Sequence, residues 1–287
     1  MIIELQNKLE LFKRIFPNEK IVTVKQMEGA ENYILEINNL WICKIPKNIH
    51  SNNLAIEAQL LNLLKNKLKT RIPLIEYYEP NFLVYKKISG TELTFEHYIA
   101  LSPEQKDTLA SDIAYFLYEL HNSLPIETAK KLGLTQTNWP WPPEMLEAES
   151  TYLKDPTLIY IFNPCIQEYK DLRQTNVEVK LIHNDMILRN IIINEQTGKL
   201  SGIIDFTDVA FDDLYLDLRR NYLSIPKLSE AIAKQYAQHA NMILNIRKIY
   251  IYYIATEFSR YLQHIKEQKE DLDTIKLRIV ETFKFLQ

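Results

Sequence analysis

The sequence has 287 residues, of which 46% are hydrophobic and 25% are charged, and its formal net charge is −3. This length and composition fit a globular protein with one large domain or two lobes, and they exclude a disordered or fibrous chain. The small negative charge argues against a nucleic-acid partner, and the sequence contains no apolar run long enough to span a membrane.

The N-terminal segment MIIELQNKLELFKRIF mixes charged and apolar residues at helical spacing and lacks the apolar block of a secretory signal. We therefore expect a cytoplasmic protein with no membrane partner. We also expect it to be a monomer.

The first third of the chain is predicted to form a small antiparallel sheet. Short β-branched or apolar runs indicate five strands, over 20–25, 33–37, 40–45, 74–78 and 82–85. Asn38-Asn39 marks a tight turn between the second and third strands. Leucines at helical spacing predict one helix in this region, over 54–68.

The remainder is predicted to be mainly helical. Ser102-Pro103-Glu104-Gln105 combines an N-cap, a proline at the first helical position and a capping-box partner, so we expect a helix to begin there. A Trp-Pro loop at 138–143 separates this helix from a further helical region that extends to Lys180. A β segment follows over 181–204, and the rest is helical.

Together these elements predict an α+β fold with two lobes. Residues 1–88 are predicted to form a small antiparallel β N-lobe, and residues 89–287 a large, mainly helical C-lobe. The two cysteines, Cys43 and Cys165, then lie in different lobes. We expect neither a disulfide nor a zinc site, only small apolar core residues.

The most specific motif begins at His183, has the pattern H-x-D-x-x-x-x-N, and is followed by Ile203-Ile204-Asp205-Phe206. Phosphoryl transfer explains these residue types. The attacking hydroxyl needs a carboxylate that orients it and accepts its proton, and we assign this role to Asp185, with His183 as the other member of the catalytic loop. Magnesium prefers hard oxygen ligands, which Asn190 and Asp205 supply.

A β-hairpin is predicted to bring these oxygens to one rim of the site. Its first strand covers 190–194, its turn lies at Gln196-Thr197-Gly198, and its second strand ends at Asp205. An isolated aspartate in a loop is usually solvated or caps a helix. Here the spacing and the flanking apolar strands agree at every position, which favours the catalytic interpretation.

A kinase-type site also needs a cation on the phosphates, held by an acidic residue on a helix. Alternation along the predicted third strand places Lys44 with Ile42, on the face opposite Trp41. Glu57, on the following helix, is the expected partner, because a lysine among apolar residues is costly unless its ammonium is paired. The alternative is a lysine that protects an edge strand. The single Gly29 makes the loop before the second strand a weak phosphate-covering loop.

These residues resemble the aminoglycoside phosphotransferase and choline kinase superfamily, most closely its aminoglycoside 2″-phosphotransferase group, over nearly the whole chain. The matching features are Lys44, Glu57, the segments 84–90, 120–121, 183–190 and 203–206, and the D-x-x-x-D pattern of 213–217. The resemblance implies a protein-kinase-like two-lobed fold, GTP or ATP between the lobes, two Mg²⁺ ions and transfer to a hydroxyl of a small molecule. Thr207 and Leu214 depart from the family, which often has glycine and proline at these positions.

The resemblance also implies where the nucleotide base binds. Backbone groups of Lys86 and Ile88 would hydrogen-bond the base, and Ile192 and Ile204 would form an apolar floor. Tyr85 borders this pocket, and in the 2″-phosphotransferase group a bulky residue there accompanies the use of GTP, so we expect GTP to be preferred over ATP. The alternative is that Tyr85 packs into the core of the lobe and that both nucleotides serve.

A cationic acceptor near Asp185 would need carboxylates from the helical lobe. The candidates are Glu147, Glu149 and Glu257. Glutamates on helices usually face water, so solvation also explains each of them singly.

The most consistent function is a small-molecule kinase that phosphorylates an aminoglycoside. A protein kinase is excluded, because Asp217 follows Asp205 by only 12 residues, which leaves no room for a peptide-docking segment, and no APE-like motif follows. An inactive nucleotide-sensing module is disfavoured, because the catalytic set of Lys44, Glu57, Asp185, Asn190 and Asp205 is intact. A kinase for a housekeeping metabolite, such as an amino alcohol or a sugar, is the open alternative.

Overall fold

An antiparallel sheet flanked by two helices forms the first lobe. The structure, a computed structural model, describes residues 2–29, 31–48, 50–175, 177–222, 225–269 and 271–287. The elements of the first lobe are α1 (Ile2–Ile15), β1 (Val24–Glu28), β2 (Asn32–Ile37), β3 (Trp41–Pro46), α2 (Asn53–Leu64), β4 (Ile75–Glu79) and β5 (Phe82–Lys86). The strands lie in the order β1-β2-β3-β5-β4, and each neighbouring pair is antiparallel.

The two faces of β3 are buried against different helices. Trp41 packs with Phe12 of α1, whereas Ile42 packs with Leu54 of α2. The strand is buried along its whole length because it lies between β2 and β5. The predicted alternation is present, and it directs Lys44 toward α2.

The second lobe is mainly helical. Its elements are β6 (Thr91–Glu92), α3 (Phe95–Ala100), α4 (Pro103–His121), α5 (Ile126–Lys131), α6 (Pro143–Glu149), α7 (Pro156–Thr175), β7 (Val179–Ile182), β8 (Ile191–Ile193), β9 (Leu200–Ile203), β10 (Ala210–Asp213), α8 (Tyr215–Tyr222), α9 (Pro226–Ala240), α10 (Ile246–Glu267) and α11 (Leu272–Lys284). β8 pairs with β6 and β9, and β7 pairs with β10. The fold is α+β, with a small antiparallel lobe and a large helical lobe, as the sequence predicts.

The chain between the lobes passes close to β8 at Gly90. This residue has a φ of 132°, and a Cβ at this position would lie 2.4 Å from the carbonyl oxygen of Ile193. A side chain is excluded there on both counts. The chain then joins the sheet of the second lobe as β6, so the predicted lobe boundary after Ile88 falls between β5 and β6.

Helix α4 begins as predicted. Ser102 Oγ accepts a hydrogen bond from the backbone nitrogen of Gln105 at 3.2 Å, and Gln105 Oε1 accepts one from the backbone nitrogen of Ser102 at 2.8 Å. This capping box satisfies two N–H groups that the first turn would leave unpaired. The buried face of α4 includes Phe116 and His121, which support the catalytic loop.

The first strand begins later than the run at 20–25 predicts, because the Asn38 side chain hydrogen-bonds backbone groups of that run. Its side-chain oxygen accepts hydrogen bonds from the backbone N–H groups of Val22 and Thr23 at 2.8 and 3.0 Å, and its amide donates to the carbonyl of Lys20 at 2.8 Å. The segment is therefore tied to a side chain, and the ladder starts only at β1.

Two predicted helix ends also differ from the structure. α2 ends at Leu64, since the chain turns there and the N–H of Lys67 bonds the Leu64 carbonyl at 2.8 Å. α7 ends at Thr175, and Lys180 lies in β7, which pairs with β10. The sequence did not reveal β10, since a four-residue strand with two aspartates lacks a strand pattern.

Cys43 lies in the sheet of the first lobe and Cys165 lies in α7 of the second. Both are free, and burial raises the pKa of each thiol to about 12, so both are unreactive core residues, as expected. Across the described segments, no helix combines the length and the apolarity needed to cross a membrane.

Candidate active site

The predicted catalytic and metal-binding residues meet where the two lobes face each other. The first lobe supplies Lys44 from β3 and Glu57 from α2. The second lobe supplies Asp185 and Asn190 from the loop between β7 and β8, and Asp205 from the end of β9.

Lys44 joins the two lobes electrostatically. Its Nζ lies 2.7 Å from Glu57 Oε1 and 2.9 Å from Asp205 Oδ1, and the side chains of Lys44 and Glu57 are only 4% and 1% exposed. Burial acts to lower the pKa of Lys44, but the carboxylates of Glu57 and Asp205 outweigh it and hold the pKa above its ordinary value. The predicted contact between Lys44 and Glu57 is present, and the lysine stays positive.

Asn190 is oriented by Asp185. Its Nδ2 donates to Asp185 Oδ2 at 2.9 Å and to the Asp185 backbone carbonyl at 2.8 Å. Because both partners are acceptors, the group that faces them must be the amide NH₂, and the side-chain oxygen of Asn190 is directed away from Asp185. That orientation leaves one neutral oxygen for a metal ion.

A buried carboxylate, Asp217, fixes the catalytic loop from below. It accepts hydrogen bonds from the backbone nitrogens of His183 and Asn184 at 2.8 and 2.7 Å, and lies 3.0 Å from His121 Nε2. Burial acts to raise the pKa of Asp217, but the hydrogen bonds and charge of His121, with smaller contributions from His183, hold the pKa below its ordinary value. The D-x-x-x-D pattern and the end of α4 therefore act together on the loop.

His183 is enclosed in the second lobe, where its ring contacts backbone groups. The residue is fully buried, its Nε2 lies 3.1 Å from the carbonyl oxygen of Ile204, and its Nδ1 lies 3.4 Å from the backbone nitrogen of Asp185. With these partners, Nε2 donates a hydrogen bond to the Ile204 carbonyl and the Asp185 N–H points to Nδ1. The prediction that His183 is catalytic is therefore replaced by a positioning role.

Asn190 and Asp205 form a donor set that fits magnesium. Asp205 has a φ of 65°, a left-handed conformation that a non-glycine residue seldom adopts. Burial acts to raise its pKa, but Lys44, Thr207 and His183 hold the pKa below its ordinary value, so the carboxylate is ionised. One carboxylate and one amide oxygen leave the other metal positions to phosphates and water, as magnesium requires at a triphosphate.

The described residues contain no group of three or more His, Cys, Asp or Glu side chains that could hold a metal ion.

Tyr85 lies deep in the first lobe. Its side chain is 5% exposed and packs with Ile42 and Leu54 between the sheet and α2. Burial raises the pKa of Tyr85, and the charges of Lys44 and Glu57 also act on its hydroxyl. Tyr85 is in the lobe core, as the alternative interpretation holds, and also close to the charged site. The preference for GTP stays a prediction.

The other residues predicted to surround the nucleotide base lie near the junction between the two lobes. Lys86 pairs with Trp41, and its ammonium lies 5.4 Å from the centre of the indole ring, so its side chain points to the face opposite Tyr85. A contact with the base would therefore come from the backbone of Lys86, and this role stays a prediction. Ile192 is buried on β8, while Ile88 and Ile204 are half-buried on either side of the interlobe boundary.

Glu257 is not available to an acceptor. Its side chain is fully buried, 2.9 Å from Arg260 and 3.5 Å from Arg278. The prediction that it binds a cationic substrate is therefore wrong: the carboxylate serves an internal ion-pair network between α10 and α11.

Glu147 and Glu149 are accessible but already paired. Both oxygens of Glu147 lie 3.0 Å from Lys170 Nζ, and Glu149 Oε1 lies 2.8 Å from Lys266 Nζ. An acceptor amine would have to replace these lysines. Their role as substrate ligands stays a prediction.

The sequence analysis missed two polar contacts near the site, one made by Thr137 and one made by Lys248. Thr137 Oγ1 accepts a hydrogen bond from Asn184 Nδ2 at 3.0 Å. Asp213, the first aspartate of the D-x-x-x-D pattern, lies 2.6 Å from Lys248 Nζ and 2.9 Å from the Tyr252 hydroxyl. The sequence feature that could have revealed Lys248 is its position at the start of an otherwise apolar and aromatic run on α10, where a buried lysine needs an acidic partner.

Comparison with known proteins agrees with this geometry. The model of the phosphotransferase enzyme family matches residues 23–247. A solved complex of APH(2″)-IIIa with GDP and kanamycin is 26% identical, with a TM-score of 0.78 and coverage of 98% of this chain and 97% of that chain. The ternary complex of APH(2″)-IIa with streptomycin and ATP is 23% identical, with a TM-score of 0.69 and coverage of 92% of each chain.

A macrolide 2′-phosphotransferase of type I is also similar, with 16% identity, a TM-score of 0.69 and coverage of 94% of this chain and 96% of that chain. These similarities confirm the predicted protein-kinase-like two-lobed fold and the resemblance to the superfamily near the 2″-phosphotransferases.

Proposed function

We propose a function from one premise: the chain belongs to the phosphotransferase enzyme family, and its reaction is a phosphoryl transfer to an alcohol. The proposed donor is GTP or ATP with magnesium, and the proposed acceptor is a hydroxyl group of an aminoglycoside. The predictions of a cytoplasmic monomer and of no nucleic-acid partner stay predictions.

The contact of Lys44 with both Glu57 and Asp205 carries this proposal. Lys44, the proposed phosphate-binding cation, lies 2.7 Å from Glu57 of its own lobe and 2.9 Å from Asp205, the proposed metal-binding carboxylate of the second lobe. This is the arrangement that phosphoryl transfer requires, because the triphosphate must be held between that cation and a metal ion. A module that only bound the nucleotide would not require the Asp185 carboxylate to be held in one orientation by Asn190, as it is here.

Each side chain then has a defined task. Asp185 orients the acceptor hydroxyl and takes its proton, while Asn190 holds the Asp185 carboxylate by the hydrogen bond at 2.9 Å. Lys44 binds phosphate oxygens. Asn190 and Asp205 would hold magnesium, which neutralises the charge that develops on the phosphates.

Similarity supports the choice of acceptor and donor. The similar APH(2″)-IIIa was solved with GDP and kanamycin, and the similar APH(2″)-IIa was solved with streptomycin and ATP. At such identities both nucleotides are candidate donors. Glu147 and Glu149 are the proposed ligands for the ammonium groups of the acceptor.

The second candidate is a kinase for a housekeeping metabolite. The pairing of Glu147 with Lys170 and of Glu149 with Lys266 favours it, because these carboxylates are not prepared for a polycation. An amino alcohol or a sugar would need fewer negative charges at the site.

A coupled assay of nucleotide release tests the proposal. The purified protein is incubated with Mg²⁺ and either GTP or ATP, together with kanamycin, streptomycin, a macrolide, choline or a simple sugar. The D185N variant serves as the blank for background hydrolysis. We expect kanamycin or another aminoglycoside to give the highest kcat/KM.

Turnover with choline or a sugar alone would favour the metabolite kinase. No release above the D185N blank with any acceptor, despite bound nucleotide, would favour the inactive module.

A further inference from the structure

Thr207 stands where the family often has glycine, and its hydroxyl lies at the centre of the interlobe contact. Its Oγ1 is 3.2 Å from Lys44 Nζ, 3.2 Å from Glu57 Oε2 and 3.0 Å from Asp205 Oδ1. It thus contacts every charged group that joins the lobes at this point. A glycine could make none of these contacts.

The preceding residue explains why Thr207 is held there. Phe206 is buried, with its ring 4.9 Å from the His183 ring and 6.4 Å from the Phe116 ring of α4. The backbone at 206 is therefore anchored in the second lobe, and Thr207 extends from that anchor toward Lys44 and Glu57 of the first lobe.

The numbers of hydrogen-bond donors and acceptors around Thr207 show that its hydroxyl takes part in the hydrogen bonding of the charged groups. Lys44 has three N–H donors, and its three acceptors are Glu57 Oε1, Asp205 Oδ1 and Thr207 Oγ1, at 2.7, 2.9 and 3.2 Å. Thr207 has one hydroxyl proton, which it can donate either to Asp205 or to Glu57, but not to both. When Asp205 donates its electron pairs to a cation, the proton can turn to Glu57.

We propose that Thr207 is a positioning residue that keeps the Lys44–Glu57 pair attached to the second lobe when Asp205 engages a metal ion. The hydroxyl accepts from Lys44 throughout and changes only the carboxylate to which it donates. With glycine at this position, Asp205 alone among the described residues of the second lobe would hydrogen-bond Lys44. The inference rests on the proposed nucleotide and magnesium site.

The test compares three variants by calorimetric binding of a non-hydrolysable GTP or ATP analogue, with Mg²⁺ and with EDTA. T207V keeps the shape and removes the hydroxyl, T207S keeps the hydroxyl, and T207G restores the residue common in the family. T108V, on the exposed face of α4, is the matched control for a threonine-to-valine change. Steady-state assays then give kcat, KM and the Mg²⁺ concentration for half-maximal rate.

We expect T207V and T207G to bind the analogue about tenfold more weakly with Mg²⁺ and about as tightly as wild type in EDTA, as loss of one hydrogen bond to charged groups predicts. Their half-saturating Mg²⁺ concentration should rise by a similar factor, while T207S and T108V should stay within about twofold of wild type.

Equal behaviour of T207V and T207S would overturn the inference, as would a loss of binding that is the same with Mg²⁺ and with EDTA, since a purely structural role predicts the latter. If the wild-type protein binds no nucleotide under either condition, the proposed function fails and the inference fails with it. Normal binding by wild type and all variants overturns the inference alone.

Discussion

Asp217 Oδ1 accepts a hydrogen bond of 2.7 Å from the backbone nitrogen of Asn184, the residue immediately before Asp185. Asn184 has a φ of 63°, so the loop turns sharply at this point. Non-glycine residues seldom adopt this left-handed backbone conformation, which is strained. The hydrogen bond from the Asn184 N–H to the Asp217 carboxylate holds the turn in it. The position of Asp185, the proposed base, is thus set by a buried residue that lies 32 positions later in the chain.

Replacing Asp217 with asparagine should therefore weaken both stability and catalysis. Asparagine cannot accept from both backbone nitrogens with two oxygens, so one buried N–H group loses its partner, at a cost of about 1–3 kcal/mol in unfolding free energy. Urea denaturation and kcat measured on the same preparation check this. A D217N protein with wild-type stability and kcat would show that Asp217 does not hold the loop.

The depressed pKa of Asp217 also predicts the direction of a pH effect. Because the pKa is lower in the folded than in the unfolded protein, the ionised carboxylate stabilises the fold at pH values above the unfolded pKa. That contribution is lost as the pH falls through the folded value. Thermal unfolding from pH 7 down to pH 3 should show wild type losing its advantage over D217N below about pH 4. An advantage that grew on acidification would contradict the assignment.

How far the sequence could predict this site depends on the distance over which each contact acts. Alternation along one strand placed Lys44 toward α2, and the helix that follows carries Glu57, so that pair could be predicted from neighbouring elements. The contacts of Thr207 with the first lobe could not be predicted, since Glu57 and Lys44 are 150 and 163 residues away in the chain. Glu257 was misassigned for the same reason: helical periodicity alone does not reveal that Arg278 of α11 covers it.

Changing Asp185 to asparagine should separate chemistry from nucleotide binding. The variant loses the carboxylate that accepts the acceptor proton, so kcat should fall by about 10²–10⁴. Nucleotide affinity should stay near wild type, because the triphosphate is assigned to Lys44 and the metal site. Steady-state kinetics and calorimetry on the same sample provide the two readouts. Near-wild-type kcat would rule out Asp185 as the base.

Removing magnesium with EDTA should abolish transfer, and D205A should weaken metal-dependent nucleotide binding. Asp205 supplies the one carboxylate of the proposed metal site, and its ionised state is maintained by Lys44 and Thr207. The measurement is nucleotide affinity as a function of Mg²⁺ concentration. A crystal structure with nucleotide and metal in which Asp205 lies several ångströms from any ion would reject this role.

Replacing Glu257 with glutamine should destabilise the protein without a selective effect on KM for a cationic acceptor. The Glu257 carboxylate is fully buried, whereas the side chains of Arg260 and Arg278 are 23% and 34% exposed. Because solvent screens the two arginines, the loss in unfolding free energy should be about 1–3 kcal/mol, less than for a fully buried pair. E147Q and E149Q are the matched controls for stability, on which they should have little effect because their ion pairs are partly exposed to solvent. A rise in KM with E257Q alone would restore Glu257 as a substrate ligand.

The last prediction concerns Tyr85 and the choice of nucleotide. If its ring crowds the deeper base position that adenine would use, the wild-type protein should have a higher kcat/KM for GTP than for ATP, because a pocket aligned for one base leaves polar groups unpaired with the other. Y85A should move this ratio toward one, mainly by improving KM for ATP.

Tyr85 packs with Ile42 and Leu54, so Y85A also opens a cavity and costs stability. Y85F is the matched control, because it keeps the ring and should keep the preference for GTP, and Y85L separates loss of the ring from loss of volume. Both nucleotides are assayed at a temperature where each variant is folded. Equal kcat/KM for GTP and ATP in the wild-type protein would show that Tyr85 belongs to the lobe core alone and does not select the donor.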